Sequence, residues 1–261
     1  MVIGESRTTN MILKMLGSDI RNEIDNYVND VCYREFMVMD NMEQVNQIFG
    51  VAIEDFLSNL SEEELLDLRT YTGYNFKNIN SILRGNWNYE NNGMLTSDKE
   101  NEFRIMSNSI RNTLNKFQTP EIDFVTFRGT TLDAFRGYGV SELSQLECLK
   151  GKFLYDHGFT STSILEETSY YGKKLDDGRF CNVGIKYLIP AESQDGALIT
   201  TNDMSYAVSQ NEFLLTSGSL AKVVDVTINR EENMAMIVVV LVPKKIYDVN
   251  YNNNLNSSRG K

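Results

Sequence analysis

The spacing of apolar positions changes once along the chain. Between residues 8 and 117 apolar residues recur at helical spacing. Met11, Ile12, Met15, Leu16, Ile20 and Ile24 fall on one face of a first helix, which Thr8 or Thr9 would cap. A second helix is expected over residues 42–60. Ser61 followed by Glu62, Glu63 and Glu64 reads as an N-cap with acidic side chains in the first turn, where the helix dipole favours them. Gly73 is expected to end that helix. Another covers 76–83 and stops at Gly85. Residues 86–93 are Asn-rich and loop-like, and 97–117 are helical again. From Phe124 onward the pattern is that of strands, expected at 124–128, 152–163, 183–189, 212–215, 221–228 and 236–242.

Helices packed on a strand-rich second half read as an α+β fold. There is no internal repeat and no Pro-rich linker. The stretch 249–261 is polar and reads as a disordered tail. Composition narrows the function classes further. Of 261 residues, 41% are hydrophobic, enough for a sizeable core. The net charge of −11 provides no electrostatic footprint for duplex nucleic acid or an anionic membrane, so both are disfavoured as partners. Cys32, Cys148 and Cys181 are odd in number and far apart, which argues against a disulfide framework. His157 is the only histidine. A zinc site or a Ser-His-Asp triad is therefore not expected, and no metal is. The first residues lack a basic region followed by an apolar one, so no signal peptide is expected. The longest apolar run, 235–242, reads as a buried strand.

Chemistry must then rest on carboxylates, amides, hydroxyls and arginines. Arg128 ends an apolar run that holds Phe124, Val125 and Phe127. Arginine is rarely buried without a partner, so either a carboxylate pairs with it or an anion arrives there. Downstream, Ser161 and Ser163 would share one face of a strand. Gln210 and Glu212 would also share a face if their strand begins early enough. Glu212 leads directly into Phe213-Leu214-Leu215, which suggests a carboxylate held at the rim of a core. Each motif alone has an ordinary structural explanation.

Upstream lies the stretch 60–85, an acidic helix followed by Tyr71-Thr72-Gly73 and then Ile79-Asn80-Ser81-Ile82-Leu83-Arg84. Taken in order with the three later motifs, it makes the chain resemble the mono-ADP-ribosyltransferases of bacterial toxins. The actin-modifying binary toxins and the clostridial Rho-modifying exoenzymes are the most alike. The resemblance implies two facing, roughly perpendicular β-sheets with helices around them. It also implies that NAD is the co-substrate in the cleft between the sheets, with no metal.

By the same resemblance Arg128 faces a phosphate of NAD, Gly129 offers its backbone to the nicotinamide amide, and Asn80 and Arg84 also reach NAD. Glu212 would be the catalytic glutamate and Ser161 would hold it in place. Gln210 stands where arginine-directed members carry Glu, which points to an Asn- or Gln-type acceptor. Tyr206 would serve substrate recognition. Tyr170, Tyr171, Lys173 and Arg179 are candidates for the aromatic and cationic contacts that follow the Ser-Thr-Ser strand. Residues 60–248 would form the catalytic domain and 1–59 a helical extension packed on it. The implied partner is a host protein such as a small GTPase or actin, modified in a cytosol by a secreted or translocated effector. Two other readings remain, modification of a nucleobase in DNA or RNA and a non-catalytic module with the same fold.

Overall fold

The computed structural model describes residues 7–87, 93–206 and 208–247. The expected polar tail and residues 88–92 of the Asn-rich loop lie outside the described residues. The first helix, α1 (Arg7–Val31), contains both Thr8 and Thr9, so neither caps it. It is broken at Gly17, where φ is +79. Glycine adopts that backbone without a Cβ clash. The break turns one segment relative to the other and removes the single continuous face expected from the spacing. Leu13, Ile24, Val28 and Val31 are buried, while Met11 and Met15 are exposed.

α2 (Met42–Ser58) starts at Asn41, whose Oδ1 accepts from the Gln44 backbone N–H at 3.0 Å. Val45, Phe49, Ile53 and Phe56 form its buried stripe. α3 (Glu62–Thr70) opens with a reciprocal capping box. The Glu64 N–H donates to Ser61 Oγ at 3.2 Å and the Ser61 N–H to Glu64 Oε2 at 2.9 Å. Gly73 does not end this helix. The backbone runs on through a π-helical turn, Tyr71–Asn75, straight into α4 (Phe76–Leu83). What Gly73 lacks is space for a side chain. A Cβ there would meet the Tyr206 ring at 2.8 Å. α5 (Ser97–Leu114) completes the helical half.

The strands are β1 (Phe124–Thr130), β2 (Phe153–Asp156), β3 (Thr160–Ser163), β4 (Val183–Ile189), β5 (Gly196–Ile199), β6 (Glu212–Leu215), β7 (Ser219–Asn229) and β8 (Met234–Val242). A short helix, α6 (Lys244–Tyr247), follows. The apolar run 152–163 becomes two strands because Asp156 turns the chain. Its carboxylate accepts from the Gly158 N–H at 2.9 Å and from Thr160 Oγ1 at 2.8 Å. β5 is four residues long, too short to show a period, and was not expected.

The strand order is β2-β7-β8-β4-β1-β3-β6-β5. Two segments stand out, β2-β7-β8-β4-β1 and β3-β6-β5, joined through the single register pair Phe127↔Ser163. The resemblance implied two facing sheets; here the strands are linked into one eight-stranded sheet whose two segments meet at that pair. The aromatic rings of Phe49, Phe124 and Phe213 cross the junction. Phe124 meets both of the others edge-on at 5.2 Å. That stack ties α2 to a strand of each segment. On the larger segment, α1 packs Leu13, Ile24, Val28 and Val31 into a separate cluster with Phe153, Leu220, Val240 and Val242.

Phe124 is fully buried at the centre of that stack. Phe124→Ala is expected to lower the free energy of unfolding by about 3–5 kcal/mol, the cost of a large cavity in a core that cannot collapse around it. Urea denaturation measures it, and a loss under 1 kcal/mol would contradict the packing described.

Candidate active site

β1 leaves the core as it ends. Its residues are buried up to Phe127 and half-buried from Arg128 on. The Arg128 side chain crosses toward the smaller segment, where Nη1 donates to the Ser161 carbonyl at 2.7 Å. No ion pair satisfies it among the described residues. The other two arginines nearby differ in this respect. Arg84 donates Nε and Nη2 to the Asp156 carboxylate at 2.7 and 2.8 Å. Arg179 donates the same two nitrogens to Asp177 at 2.9 and 2.6 Å. Of the two alternatives for Arg128, a carboxylate partner is the one the geometry leaves out.

Glu212 opens β6 and stands opposite Ser163 in register. The preceding residue, Asn211, has a φ of +48, a left-handed conformation that asparagine tolerates better than most residues. Gln210 lies before this turn in a short 3-10 segment, so it does not share a strand face with Glu212. The turn nevertheless brings both side chains to one cavity. Glu212 is only 5% exposed. Burial pushes its carboxyl above the ordinary range, while the neighbouring Ser161 hydroxyl and the Arg128 charge act in the opposite direction. Ser161 and Ser163 both line the cavity. Ser163 Oγ donates to the Gln210 carbonyl at 2.8 Å and holds the turn in place.

α4 supports the opposite wall. Asn80 is buried, and its amide is taken up by the protein. Its Nδ2 donates to Tyr71 Oη at 3.1 Å and its Oδ1 accepts from the Phe159 N–H at 2.8 Å. The Tyr71 hydroxyl is raised well above its usual value, chiefly by burial and next by the Glu212 charge. Gly129 lacks a side chain for a reason internal to the chain. A Cβ there would fall 1.9 Å from the Tyr171 nitrogen and 2.1 Å from the Tyr170 carbonyl carbon.

The cavity has a volume of about 540 Å³, within the usual span of small-molecule sites. Arg128, Gly129, Ser161 and Glu212 line it from the sheet, Gln210 from the turn before β6, Asn80 from α4 and Arg84 from the C-cap of α4. Tyr206 stands apart from them. It is 63% exposed, its ring lies over Gly73, and the Arg69 guanidinium is 4.9 Å from the ring centre. Of the residues proposed to follow the Ser-Thr-Ser strand, Tyr170 and Arg179 reach the cavity. Sequence reading missed Tyr71 and Ser169. The Ser169 hydroxyl is buried against the cavity with no hydrogen-bond partner among the described residues. Nothing in the pattern marks a lone serine in a loop. A second cavity, of about 470 Å³, lies beyond Arg84 and Arg128, which line both. Among the described residues no cluster of His, Cys, Asp and Glu could hold a metal ion. None of the described helices is long and apolar enough to cross a membrane.

Residues 47–245 match the family model described as ADP-ribosyltransferase exoenzyme. A comparison with curated proteins finds no match. Among solved structures, C3stau2 of Staphylococcus aureus with NAD is similar at 17% identity and a TM-score of 0.63, over 81% of this chain and all of that one. The C3 exoenzyme of Clostridium limosum is 21% identical with a TM-score of 0.58, over 80% and 98%. The ADP-ribosylating toxin BECa of a binary enterotoxin of Clostridium perfringens, solved with NADH, is 18% identical with a TM-score of 0.62, over 80% and 50%. At these identities the likeness shows a shared fold.

The raised carboxyl of Glu212 has a consequence for stability. Folding favours its protonated form, so its contribution is fully present below the ordinary carboxylate range and lost as pH rises through the raised value. Glu212→Gln removes that loss. Its Tm is expected to exceed that of the wild type at pH 7, with the gap closing below about pH 4. Scanning calorimetry over that range checks it, and a Tm lowered at pH 7 would contradict the desolvation argument.

Proposed function

The chain belongs to the ADP-ribosyltransferase exoenzyme family, and from that premise we propose that it transfers ADP-ribose from NAD to a target protein, releasing nicotinamide, at a non-arginine acceptor of the Asn or Gln type. One observation carries this reading. A buried glutamate, the Ser161 hydroxyl beside it and an arginine with no ion pair among the described residues converge on one cavity. The residues present suit NAD. Arg128 has a planar fork of donors to offer a phosphate, which Lys would match less well. The Ser169 hydroxyl, without a hydrogen-bond partner among the described residues, offers one more contact.

NAD supplies an ADP-ribosyl group on a cationic leaving group, and the bonding pair of the broken C–N bond departs with nicotinamide. Glu212, held by Ser161, places its carboxylate where positive charge develops on the ribose. Its raised carboxyl fits such a role, because in a dry site its ionised form is poorly solvated until a cation forms beside it. Arg128 anchors the phosphates so that the reacting carbon stays near Glu212. Asn80 acts through others. It fixes Tyr71 and the turn before β3 on which Ser161 depends. Arg84 keeps Asp156 in its turn and lines the cavity beside Arg128.

Gln210 supports the acceptor class. It is neutral, so it offers no carboxylate to a guanidinium, and it hydrogen-bonds an amide well. On this reading residues 60–248 carry the catalysis, and 1–59 is a helical extension whose α2 enters the same core. Tyr206, exposed near α3 and the π-helical turn, serves target recognition. The solved relatives include a C3 exoenzyme and a binary enterotoxin component. On this reading the target is a host protein of small-GTPase or actin type, reached in the cytosol by a secreted or translocated effector, as the motif resemblance implies.

Incubation with radiolabelled NAD and a eukaryotic lysate tests the proposal. Label in protease-sensitive, nuclease-resistant material is expected. Glu212→Gln should lower it by about 100- to 1,000-fold, the usual cost of a group that stabilises developing charge. Label lost to nuclease would move the acceptor to a nucleobase. Absence of both label and nicotinamide release would overturn the activity.

A further inference from the structure

Tyr170 lies in the connection after β3, on the segment that crosses Gly129. At Gly129 the Tyr170–Tyr171 peptide packs so closely that a Cβ would overlap it. The phenol reaches the other way. Gln210 Nε2 donates to Tyr170 Oη at 2.9 Å. One residue thus touches β1 with its backbone and the turn before Glu212 with its side chain. Neither contact was visible in the sequence.

As placed, the hydrogen bond leaves the oxygen end of the Gln210 amide open. A carboxamide carries its donor and acceptor on opposite sides of one carbon. With Nε2 engaged by Tyr170, Oε1 is the atom presented to an arriving group. Gln210 is itself anchored through its carbonyl, which accepts from Ser163 Oγ at 2.8 Å. Backbone and side chain are therefore both tied, and a rotamer change would break the bond to Tyr170.

We propose that Tyr170 is a specificity-determining positioning residue. It orients the Gln210 amide so that Oε1 accepts a hydrogen bond from a neutral –NH2 group on the acceptor. This rests on the reading of the chain as an NAD-dependent transferase and refines its acceptor class. A neutral carbonyl oxygen suits an asparagine or glutamine amide. An arginine would call for a carboxylate at the same place. Without the phenol hydroxyl the amide can turn over, and half of its orientations would present two N–H donors to the –NH2 group they should receive.

Two measurements on Tyr170→Phe test this. The first needs no substrate. In the 15N–1H spectrum of the unliganded protein, the Gln210 side-chain NH2 is assigned by its disappearance in Gln210→Glu. In Tyr170→Phe its shift is expected to move and its exchange with water to quicken by about threefold or more, the range for one lost hydrogen bond. An unchanged resonance would show that no such bond exists in solution and would overturn the proposal.

The second measurement follows transfer to lysate protein against hydrolysis of NAD by water. The ratio of transfer to hydrolysis is expected to fall about three- to tenfold in Tyr170→Phe. It should not fall further when the same change is made in Gln210→Ala. An unchanged ratio, or equal effects in both backgrounds, would mean that Tyr170 acts elsewhere. Failure of the underlying reading is separate: the wild type would then release no nicotinamide, while the spectrum would still decide the tie.

Discussion

A single register pair, Phe127↔Ser163, joins the two segments of the sheet, and the cavity exists because the join is so slight. Had β1 and β3 paired along their length, the backbone would have filled the gap between the segments. Instead β1 pairs fully with β4 over seven positions and touches β3 at one. The residue just past that touch is Arg128. Its guanidinium takes the Ser161 carbonyl that a longer ladder could have used. One side chain therefore stands in for backbone pairing at the junction and, in doing so, comes close to Glu212. The Phe49–Phe124–Phe213 stack keeps the opening from closing or drifting, because it grips both segments and a helix at once.

Two arginines beside this junction, Arg84 and Arg179, each have a carboxylate partner, and among the described residues Arg128 has no ion pair. Arg84 and Asp156 neutralise each other, and against the opposing effect of burial the arginine's hydrogen bonds and charge hold the aspartate below the usual carboxylate range. Arg179 and Asp177 do the same at the surface. Glu212 receives the Arg128 charge at a distance and a hydroxyl at close range, and burial still prevails. A site prepared to receive a ligand with both negative and positive charge would keep an uncommitted cation and a poorly solvated anion near each other, and this one does.

Much of this was legible in the chain. The strands β4 and β6 and the helix α4 fall where apolar spacing puts them. Arg128, Ser161, Gln210 and Glu212 were singled out by residue type and order, and they share one cavity. Other features were hidden for physical reasons. Gly17 and Gly73 look alike in sequence. One breaks a helix by adopting positive φ, and the other sits inside a π-helical turn beneath the Tyr206 ring. Which of these a glycine does depends on what packs against it. Asn211 reverses the backbone between Gln210 and Glu212, so their common cavity comes from a turn and not from alternation. Asn80 lines the cavity as the motif suggested, and its amide also ties Tyr71 to the Phe159 backbone, which the sequence did not show. Partners far along the chain decide such matters, and local pattern carries no record of them.

Arg128 is where the account can be tested most directly. Titration calorimetry with NAD on the wild type and on Arg128→Lys, alongside urea denaturation of both, separates a guanidinium that receives an anion from one that merely joins two sheet segments. NAD affinity is expected to weaken by about tenfold or more in the variant, since an ammonium cannot reproduce a bidentate phosphate contact, with unfolding free energy changed by less than about 1 kcal/mol. Unchanged affinity together with a large loss of stability would contradict it, and would make Arg128 a structural strut in a cleft whose ligand binds elsewhere.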